Sequence, residues 1–343
     1  MMKQNILFTC AGRRNYLILY FKEALKGHGL IIAADQDPLS AALKDADVSL
    51  VVPNIYSNNY INSLKEIIKT HNITALISLN DLELPMLSEY KQDLEQTGVK
   101  MLVSSKEVID IGGDKWKTYH FIKQIGLNTP KTYLAMEEVL KALHNKEITF
   151  PLVLKPRWGS SSIGLEFPES IEELKLAYDY LKIKIKRSVL STLSLQDSEQ
   201  AIIFQEKMEG IEYGLDIVNN FKGTYFNSFI REKLGMRAGE TDKAKSVFNP
   251  NITQVASTIA QHLKHIGTMD ADVFIAEDKV YVLELNPRFG GGYPFSHEAG
   301  ANIAAVYIDW LNGCNDLEAS KHIHYIPDII HSKCDRLLKM DNP

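Results

Sequence analysis

The sequence has little cysteine, no long apolar run and no strong excess of charge of one sign. Its three cysteines are far apart, without metal-ligand spacing, which argues against a disulfide framework or a zinc site. No apolar run approaches the roughly 20 residues that span a bilayer, which excludes membrane insertion. The net charge is −5, and no basic run is interleaved with aromatic residues, so nucleic acid is not an expected partner.

The first residues also lack the long apolar core of a signal peptide. We therefore expect a cytoplasmic protein. What the chain does have is an ordinary globular composition, with 343 residues of which 45% are hydrophobic and 24% charged. Such a chain can form two or three domains, each with its own core.

Over the first hundred residues, short β-branched runs alternate with amphipathic stretches. This alternation predicts an α/β domain with a parallel, helix-covered sheet. The dinucleotide-binding glycine pattern is incomplete here, because only Gly12 of its three glycines is present, so an NAD function is not expected. The predicted strands are Asn5–Thr9, Leu30–Ala34, Ser49–Val52, Thr74–Leu79 and Lys100–Val103.

From Phe150 onward the pattern changes to strand pairs and hairpins around a helix at Ile171–Leu181, which is typical of an α+β region. A strand is also predicted at Ile163–Phe167. The polar stretch Lys182–Gln200 is interpreted as a mobile loop or insertion and not as a binding patch. The predicted domains are 1–108, 109–210 and 211–343.

The strongest functional signal is the motif VYVLELNPRFGGGYP. Side chains alternate along a strand, so Glu284 and Asn286 should project from one face while Leu283 and Leu285 face the core. Pro287 cannot continue the strand ladder, which places both polar residues at a strand end. Two hard oxygen ligands in this position predict a site for a divalent cation.

The preceding strand offers a third ligand, Asp272, and the hairpin turn decides whether it reaches the site. A two-residue turn at Glu277 and Asp278 turns Asp272 away from Glu284. A three-residue or bulged turn through Lys279 pairs Asp272 with Glu284 instead. We expect the second arrangement, because two adjacent carboxylates are costly unless a cation neutralises them. A solvated acidic hairpin is the alternative.

Beyond the proline, the guanidinium of Arg288 can reach a transferred phosphoryl group or a tetrahedral intermediate. Gly290, Gly291 and Gly292 allow the backbone to approach a small substrate, unless they form only a flexible loop.

Two further motifs fit phosphate and nucleotide chemistry. In FPLVLKPRWGSSSIG, a strand ends at Lys155, and a loop follows whose amides and hydroxyls could cradle phosphates. No GK[ST] follows, so it is not a Walker A loop, and a surface turn is the alternative. In IIFQEKMEGIEYGLDIV, a hinge between two strands could offer backbone groups to adenine and a carboxylate to ribose, with a charged hairpin as the alternative.

Taken in this order, the motifs resemble the ATP-grasp superfamily over nearly the whole chain. The NPRFGGGYP ending and the length look most like the short, single-unit relatives of the carbamoyl-phosphate synthase large chain. The resemblance implies a Rossmann-like pre-ATP-grasp domain, then a lid with a glycine- and serine-rich loop, then a lobe with the metal and catalytic site. It rests on GDK with Lys115, LVLK with Lys155, WGSSSIG, QEKMEGIE with Glu212, DADVF with Asp272, and ELNPR.

The resemblance also implies roles for individual residues. Magnesium, or manganese, would be held by Asp272, Glu284 and Asn286. Catalysis would use Arg288, Lys155 and Arg237, with Arg231 and Lys233 as further basic candidates near the substrate. On the substrate side, Asn80, Asp81 and Glu83 follow a strand's carboxyl end, although a helix N-cap is an equal alternative. ATP would be bound by Lys115, Lys155, Ser160, Ser161, Ser162, Gln205, Glu206, Lys207, Met208 and Glu212.

The reaction implied by the resemblance is ATP-dependent joining of a small carboxylate to an amine through an acyl phosphate, with release of ADP. Two alternatives stay open: a carbamoyl-phosphate-synthase-like phosphotransferase half, and a non-catalytic nucleotide-binding module. A homodimer is the default expectation for such an enzyme.

Overall fold

The computed structural model describes residues 2–159, 164–195 and 197–340. Its first unit is a five-stranded sheet in the order β3-β2-β1-β4-β5 with parallel pairing throughout. This confirms the predicted α/β domain. Its elements are β1 (Gln4–Thr9), α1 (Asn15–Leu25), β2 (Gly29–Asp35), α2 (Ala41–Asp45), β3 (Val48–Val51), α3 (Tyr60–Thr70), β4 (Ala75–Ser78), α4 (Leu84–Glu89), α5 (Lys91–Glu95) and β5 (Lys100–Met101).

Two helices, α6 (Lys106–Gly113) and α7 (Lys115–Gln124), lead into a small antiparallel sheet in the order β6-β8-β7. We call this sheet and its helices, residues 132–206, the lid. The elements of the lid are β6 (Thr132–Tyr133), α8 (Met136–His144), β7 (Leu152–Pro156), α9 (Ile171–Lys186), α10 (Ser191–Ser194), a 3₁₀ turn (Ser198–Gln200) and β8 (Ile202–Glu206).

Two predictions within the lid are wrong. Part of the stretch read as a mobile loop is helical, because α9 continues to Lys186 and buries Leu181 and Ile185 in the core of the lid. The strand expected at Ile163–Phe167 is reduced to an isolated bridge between Leu154 and Glu166 in its described part.

The third unit is a six-stranded antiparallel sheet in the order β13-β12-β9-β10-β11-β14. Within the ranges given above, no helix combines the length and the apolar character that crossing a membrane requires. The elements of this unit are β9 (Ile211–Asn219), β10 (Tyr225–Arg237), β11 (Glu240–Val247), α11 (Pro250–Leu263), β12 (Gly267–Ala276), β13 (Lys279–Asn286), α12 (Tyr293–Glu298), α13 (Ile303–Leu311), α14 (Asp316–Ala319), a 3₁₀ turn (Ser320–His322) and β14 (Ile330–Ser332).

The first and third units share a core, whereas the core cluster of the lid consists of lid residues. Val108 of α6 and Ile122 of α7 are buried with α11 and the back of the large sheet, whereas Ile109 of α6 is buried in a core of the first unit. Helix α13 packs against α1 of the first unit. The cleft between the lid and the large sheet is therefore closed at one end by the first unit.

The close approach of α6 to the end of β13 provides a test. A Cβ at Gly112 would lie 2.7 Å from Pro287 Cδ and 3.1 Å from the carbonyl oxygen of Leu285, whereas one at Gly113 would meet nothing within 4 Å. We expect Gly112→Ala to destabilise the protein by about 1–3 kcal/mol through overpacking. Gly113→Ala is the matched control. A calorimetric unfolding temperature that falls equally in both variants would contradict this packing.

Candidate functional site

Most of the predicted site residues meet in one cavity of about 670 Å³ between the lid, the large sheet and the first unit. Residues from three separate motifs therefore face the same volume. The predicted residues that line it are Lys115, Lys155, Gln205, Glu206, Lys207, Met208, Glu212, Asp272, Glu284, Asn286 and Arg288.

The register of the β12–β13 hairpin brings the acidic residues together. Asp272 pairs with Glu284, and Asp270 pairs with Asn286. The turn itself is the two-residue type, with positive φ angles at Glu277 and Asp278. The predicted pairing is therefore correct, but the extra residue lies within the strand and not in the turn.

That extra residue is Leu283, which forms a β-bulge between the pairs Val273–Val282 and Asp272–Glu284. The prediction that Leu283 faces the core is wrong: the bulge exposes it to the cavity, while Leu285 stays in the core. A bulge places two residues of one strand opposite one of its partner, so the simple alternation fails at this point.

Buried charges surround the paired carboxylates. Lys233 Nζ lies 2.7 Å from Asp272 Oδ1 and 2.6 Å from Glu212 Oε1. Burial raises the pKa of Asp272 to about 7; Lys233 opposes this shift, and nearby carboxylates, including Glu284, add to it. Burial also opposes ionisation of Glu284, yet the neighbouring lysines hold its pKa below the ordinary value. The site thus keeps two carboxylates close together in a low dielectric.

Asp272, Glu284 and Asn286 fit a hard divalent cation by their chemistry, since all three present oxygen atoms. Asn286 Nδ2 donates to Glu284 Oε1 at 3.3 Å, which fixes the two side chains relative to each other. In the described part of the chain, no group of three or more His, Cys, Asp or Glu side chains is arranged to hold a metal ion alone. A cation here would take further oxygen ligands from water or from a bound molecule.

The two predicted phosphate-binding lysines are positioned by a buried ion pair. Asp114 caps α7 by accepting from two backbone amides, and its carboxylate also accepts two hydrogen bonds of 2.8 Å from Arg157. This pair ties the start of α7, with Lys115, to the end of β7, with Lys155. Lys115 Nζ donates to the carbonyl of Gly159. The predicted contacts of Ser160, Ser161 and Ser162 lie outside the described residues.

Beside the lid, the hinge after β8 supplies the remaining predicted nucleotide contacts. Gln205 is buried, and its Nε2 donates to Thr132 Oγ1 at 2.9 Å. Residues 207–209 lie outside the strands, so their backbone groups are not used in the sheet ladder. Phe274 and Leu283 add apolar surface to this end of the cavity.

At the other end of the cavity, a chain of ion pairs crosses the sheet. Arg231 lies 2.6 Å from Asp216 and 2.7 Å from Asp270. Arg288 lies 2.5 Å from Asp81 and 3.8 Å from Asp270. In the described chain, the Nε atoms of both arginines are buried without a hydrogen-bond partner.

The ion pair to Arg288 places Asp81 next to a residue that lines the cavity. Neither Asp81 nor Asn80 caps α4. Asn80 instead accepts from the amide of Leu82 in a local turn. Glu83 is fully buried and accepts hydrogen bonds from Thr9, Tyr60 and Ser78, so its role is to hold the loop that carries Asp81.

The structure corrects the position of Arg237. Register shifts after Lys233 break the alternation of β10, and the strand runs on into an exposed hairpin. Arg237 is 51% exposed there, paired with Asp242 and Asp335. The basic residues of this segment that do line the cavity are Arg231 and Lys233.

Asp270 and Arg14 are among the residues that line the cavity and that sequence reasoning missed. Asp270 lies two positions before Asp272 on the same strand, so the two-residue period that placed Glu284 and Asn286 could also have found it. Arg14 follows the carboxyl end of β1, where ligands bind in open α/β sheets.

The glycine loop after Arg288 makes room for the ion pairs. A Cβ at Gly290 would overlap Asp270, and one at Gly292 would overlap the guanidinium of Arg231, whereas one at Gly291 would lie 3.4 Å from Glu240. Two of the three glycines are therefore required by buried charged side chains.

Comparison with known proteins identifies the class that this fold and site define. A family model described as an ATP-grasp domain matches residues 112–292, more than half of the chain, so the chain belongs to the ATP-grasp family. A second model, described as a PylC-like N-terminal domain, matches residues 6–102. The resemblance inferred from the motifs is confirmed.

Among curated proteins, the chain is 24% identical over 291 residues to the carbamoyl phosphate synthase large chain of Helicobacter pylori, covering 78% of this chain and 26% of that protein. It is also 24% identical over 254 residues to the same enzyme chain of Mesorhizobium japonicum, covering 68% and 22%. The chain thus spans about a quarter of the length of these relatives.

Solved structures share the fold. The biotin carboxylase domain of the Hydrogenobacter thermophilus 2-oxoglutarate carboxylase, crystallised with MgADP, ADP and bicarbonate, matches with a TM-score of 0.73 at 16% identity, covering 95% of this chain and 73% of that one. The L-amino acid ligase from Bacillus licheniformis matches with a TM-score of 0.69 at 16% identity, covering 91% and 76%.

The glycine loop generates a second test. Gly292→Ala should push the guanidinium of Arg231 out of its paired position and lower stability by about 1–3 kcal/mol, because Arg231 is held at both ends by carboxylates. Gly291→Ala has space for its methyl group and should unfold at the wild-type temperature. Equal unfolding temperatures for Gly292→Ala and Gly291→Ala would show that a methyl group at residue 292 does not displace Arg231.

Proposed function

We propose that this chain is an ATP- and Mg²⁺-dependent ligase that activates a carboxylate as an acyl phosphate and joins it to an amine. The observation that carries the proposal is the pairing of Asp272 with Glu284 in the same cavity as Lys155 and Arg288. One end of the cavity thus suits a metal-bound nucleotide, and the other suits a second, reacting substrate. Transfer between two substrates needs this juxtaposition.

ATP would lie with its adenine at the hinge, against Phe274 and Leu283, and its edge facing the backbone of Lys207 and Met208. Glu212 would accept from a ribose hydroxyl while Lys233 holds its carboxylate in place. Neutral, planar surface at one end and fixed charges at the other would orient the nucleotide in one direction.

Lys115 and Lys155 would hold the phosphates at the mouth of the lid. Asp272, Glu284 and Asn286 would hold Mg²⁺, or Mn²⁺, which when bound neutralises phosphate charge. The pairing of Lys233 with Asp272 keeps this carboxylate in position before the cation binds.

In the proposed reaction, an oxygen of the substrate carboxylate forms a bond to the γ-phosphorus as the bond from that phosphorus to ADP breaks. Arg288 would stabilise the negative charge on the transferred group. The amine nitrogen then attacks the carbonyl carbon and loses a proton, and inorganic phosphate leaves. Enclosure by the lid would keep water away from the acyl phosphate.

The direct test is a screen of purified protein with Mg²⁺, ATP and pairs of small carboxylates and amines, measuring ADP release and the mass of the product. A condensed product formed with one ADP per bond is the expected result. ADP release that no amine accelerates would contradict the ligase and favour a phosphotransferase that stops at a phosphorylated product.

Arg288 should matter more for turnover than for nucleotide binding. Arg288→Gln removes a charged donor from the reacting group, so kcat should fall by about 10²–10³-fold, while the Kd for ATP changes only a few-fold. Arg237→Gln, which changes an exposed arginine outside the cavity, should keep wild-type turnover. If Arg288→Gln kept the wild-type kcat, the proposed role of Arg288 in stabilising the transferred group would be wrong.

Lys155 provides a pH test. Burial lowers the pKa of Lys155 to about 8; Glu284 opposes this shift and Lys115 adds to it. The ammonium that attracts phosphates is therefore lost as the pH rises through about 8, and the Kd for ATP measured by calorimetry should increase over that interval. Lys155→Met should bind ATP more weakly and without this pH dependence. A wild-type Kd that stays constant across the interval would contradict the assignment.

A further inference from the structure

Arg14, contributed by the first unit, lies beside Arg288 at the end of the cavity away from the lid. The Nη1 atoms of both arginines donate to the same acceptor, the carbonyl oxygen of Phe289, Arg288 at 3.0 Å and Arg14 more closely. Two guanidinium groups are thus held next to each other, although like charges repel in a low dielectric.

The charges of these two arginines are compensated differently. Arg288 is paired with Asp81 and lies near Asp270. Over residues 2–159, 164–195 and 197–340, no carboxylate forms an ion pair with Arg14, which donates a hydrogen bond to the Phe289 carbonyl. Burial, together with repulsion from Arg288, lowers the pKa of Arg14. A bound anion would supply the missing charge.

The loop that carries Arg14 is fixed before any ligand binds. The amide of Gly12 donates to Asp35 Oδ2 at 2.8 Å, and Ser40 Oγ donates to the carbonyl of Gly12 at 2.9 Å. Tyr16, two residues after Arg14, places its hydroxyl 3.5 Å from the carbonyl of Gly290. Hydrogen bonds before and after Arg14 therefore fix the turn between β1 and α1, and with it the position of Arg14 at the cavity.

Arg14 belongs to the end of the cavity away from the phosphate-binding lysines. Arg14 contacts the carbonyl of Phe289 next to Arg288. Lys115 instead contacts the carbonyl of Gly159, and Lys155 lies on strand β7 of the lid. The proposed reaction assigns the charge on the transferred group to Arg288. The second guanidinium beside it, which has no carboxylate partner among the described residues, can therefore hold another anionic group of the same substrate.

We propose that Arg14 binds a carboxylate that the substrate carries in addition to its reacting group. This inference rests on the proposed ligase function and specifies the substrate class of that site. A guanidinium matches a carboxylate with two parallel hydrogen bonds. Two kinds of substrate carry such a group: an amino acid that reacts through its amine and keeps its α-carboxylate, and a dicarboxylate that reacts at one end.

The test measures binding without turnover. The protein is saturated with Mg²⁺ and the non-hydrolysable analogue AMP-PNP, and binding is then measured by calorimetry for the common amino acids, malonate, succinate, glutarate and adipate. Each acid is compared with the analogue in which one carboxylate is a primary amide. Comparing the amino acids with the dicarboxylates shows which of the two kinds of substrate supplies the carboxylate that does not react.

We expect at least one acid to bind more tightly than its amide. In Arg14→Gln its Kd should rise by roughly 10- to 100-fold, the effect of losing a hydrogen bond to a charged group, and the preference over the amide should disappear. Arg14→Lys, which keeps the charge but not the two-pronged geometry, should give an intermediate Kd. Arg13→Gln is the matched control, because Arg13 is the exposed neighbour of Arg14. Its loss should leave the Kd of the acid and the preference over the amide unchanged.

Three results overturn the inference: equal binding of acid and amide, an unchanged Kd in Arg14→Gln, and no binding of any acid to a protein that still binds AMP-PNP. In each of them nucleotide binding is retained, so the proposed ligase is not itself refuted. A protein that fails to bind AMP-PNP with Mg²⁺ contradicts the proposed function instead, and the two failures are thereby distinguished.

Discussion

The metal side of the site depends on one extra residue in a strand. Without the bulge at Leu283, the two-residue turn would pair Asp272 with Leu283 and leave Glu284 opposite Ala271 on the other face. With it, two carboxylates meet, and a leucine is left facing the cavity next to them. The bulge thus places an acidic pair next to an apolar surface. A nucleotide needs both, because its phosphates bind through a cation and its base packs on apolar groups.

Much of the site could be read from the sequence because its key residues obey local rules. The two-residue period of a strand and the stop imposed by Pro287 placed Glu284 and Asn286, and parallel-strand patterning predicted the first unit. The site of the bulge was not predictable, because it depends on how β12 and β13 pack against their neighbours. The place of Arg237, which the family resemblance implied, was not predictable either, because the register of β10 shifts after Lys233.

Buried charge organises the other half of the cavity. Asp216, Arg231, Asp270, Arg288 and Asp81 form an unbroken chain of alternating sign. Each charge in such a chain is costly to desolvate and is retained because its neighbours compensate it. Gly290 and Gly292 are part of this arrangement, since any larger residue would occupy the space of the charged groups. Two residues of a segment that could have been only a flexible loop are thus a packing requirement.

The last link of that chain crosses a domain boundary. Asp81 belongs to the first unit, on a loop held by the buried Glu83, while Arg288 belongs to the ATP-grasp domain. The two domains are therefore not interchangeable modules. Recombination that joined this ATP-grasp domain to the first unit of a relative would replace both the loop that pairs with Arg288 and part of a shared core. The two segments are expected to be inherited together.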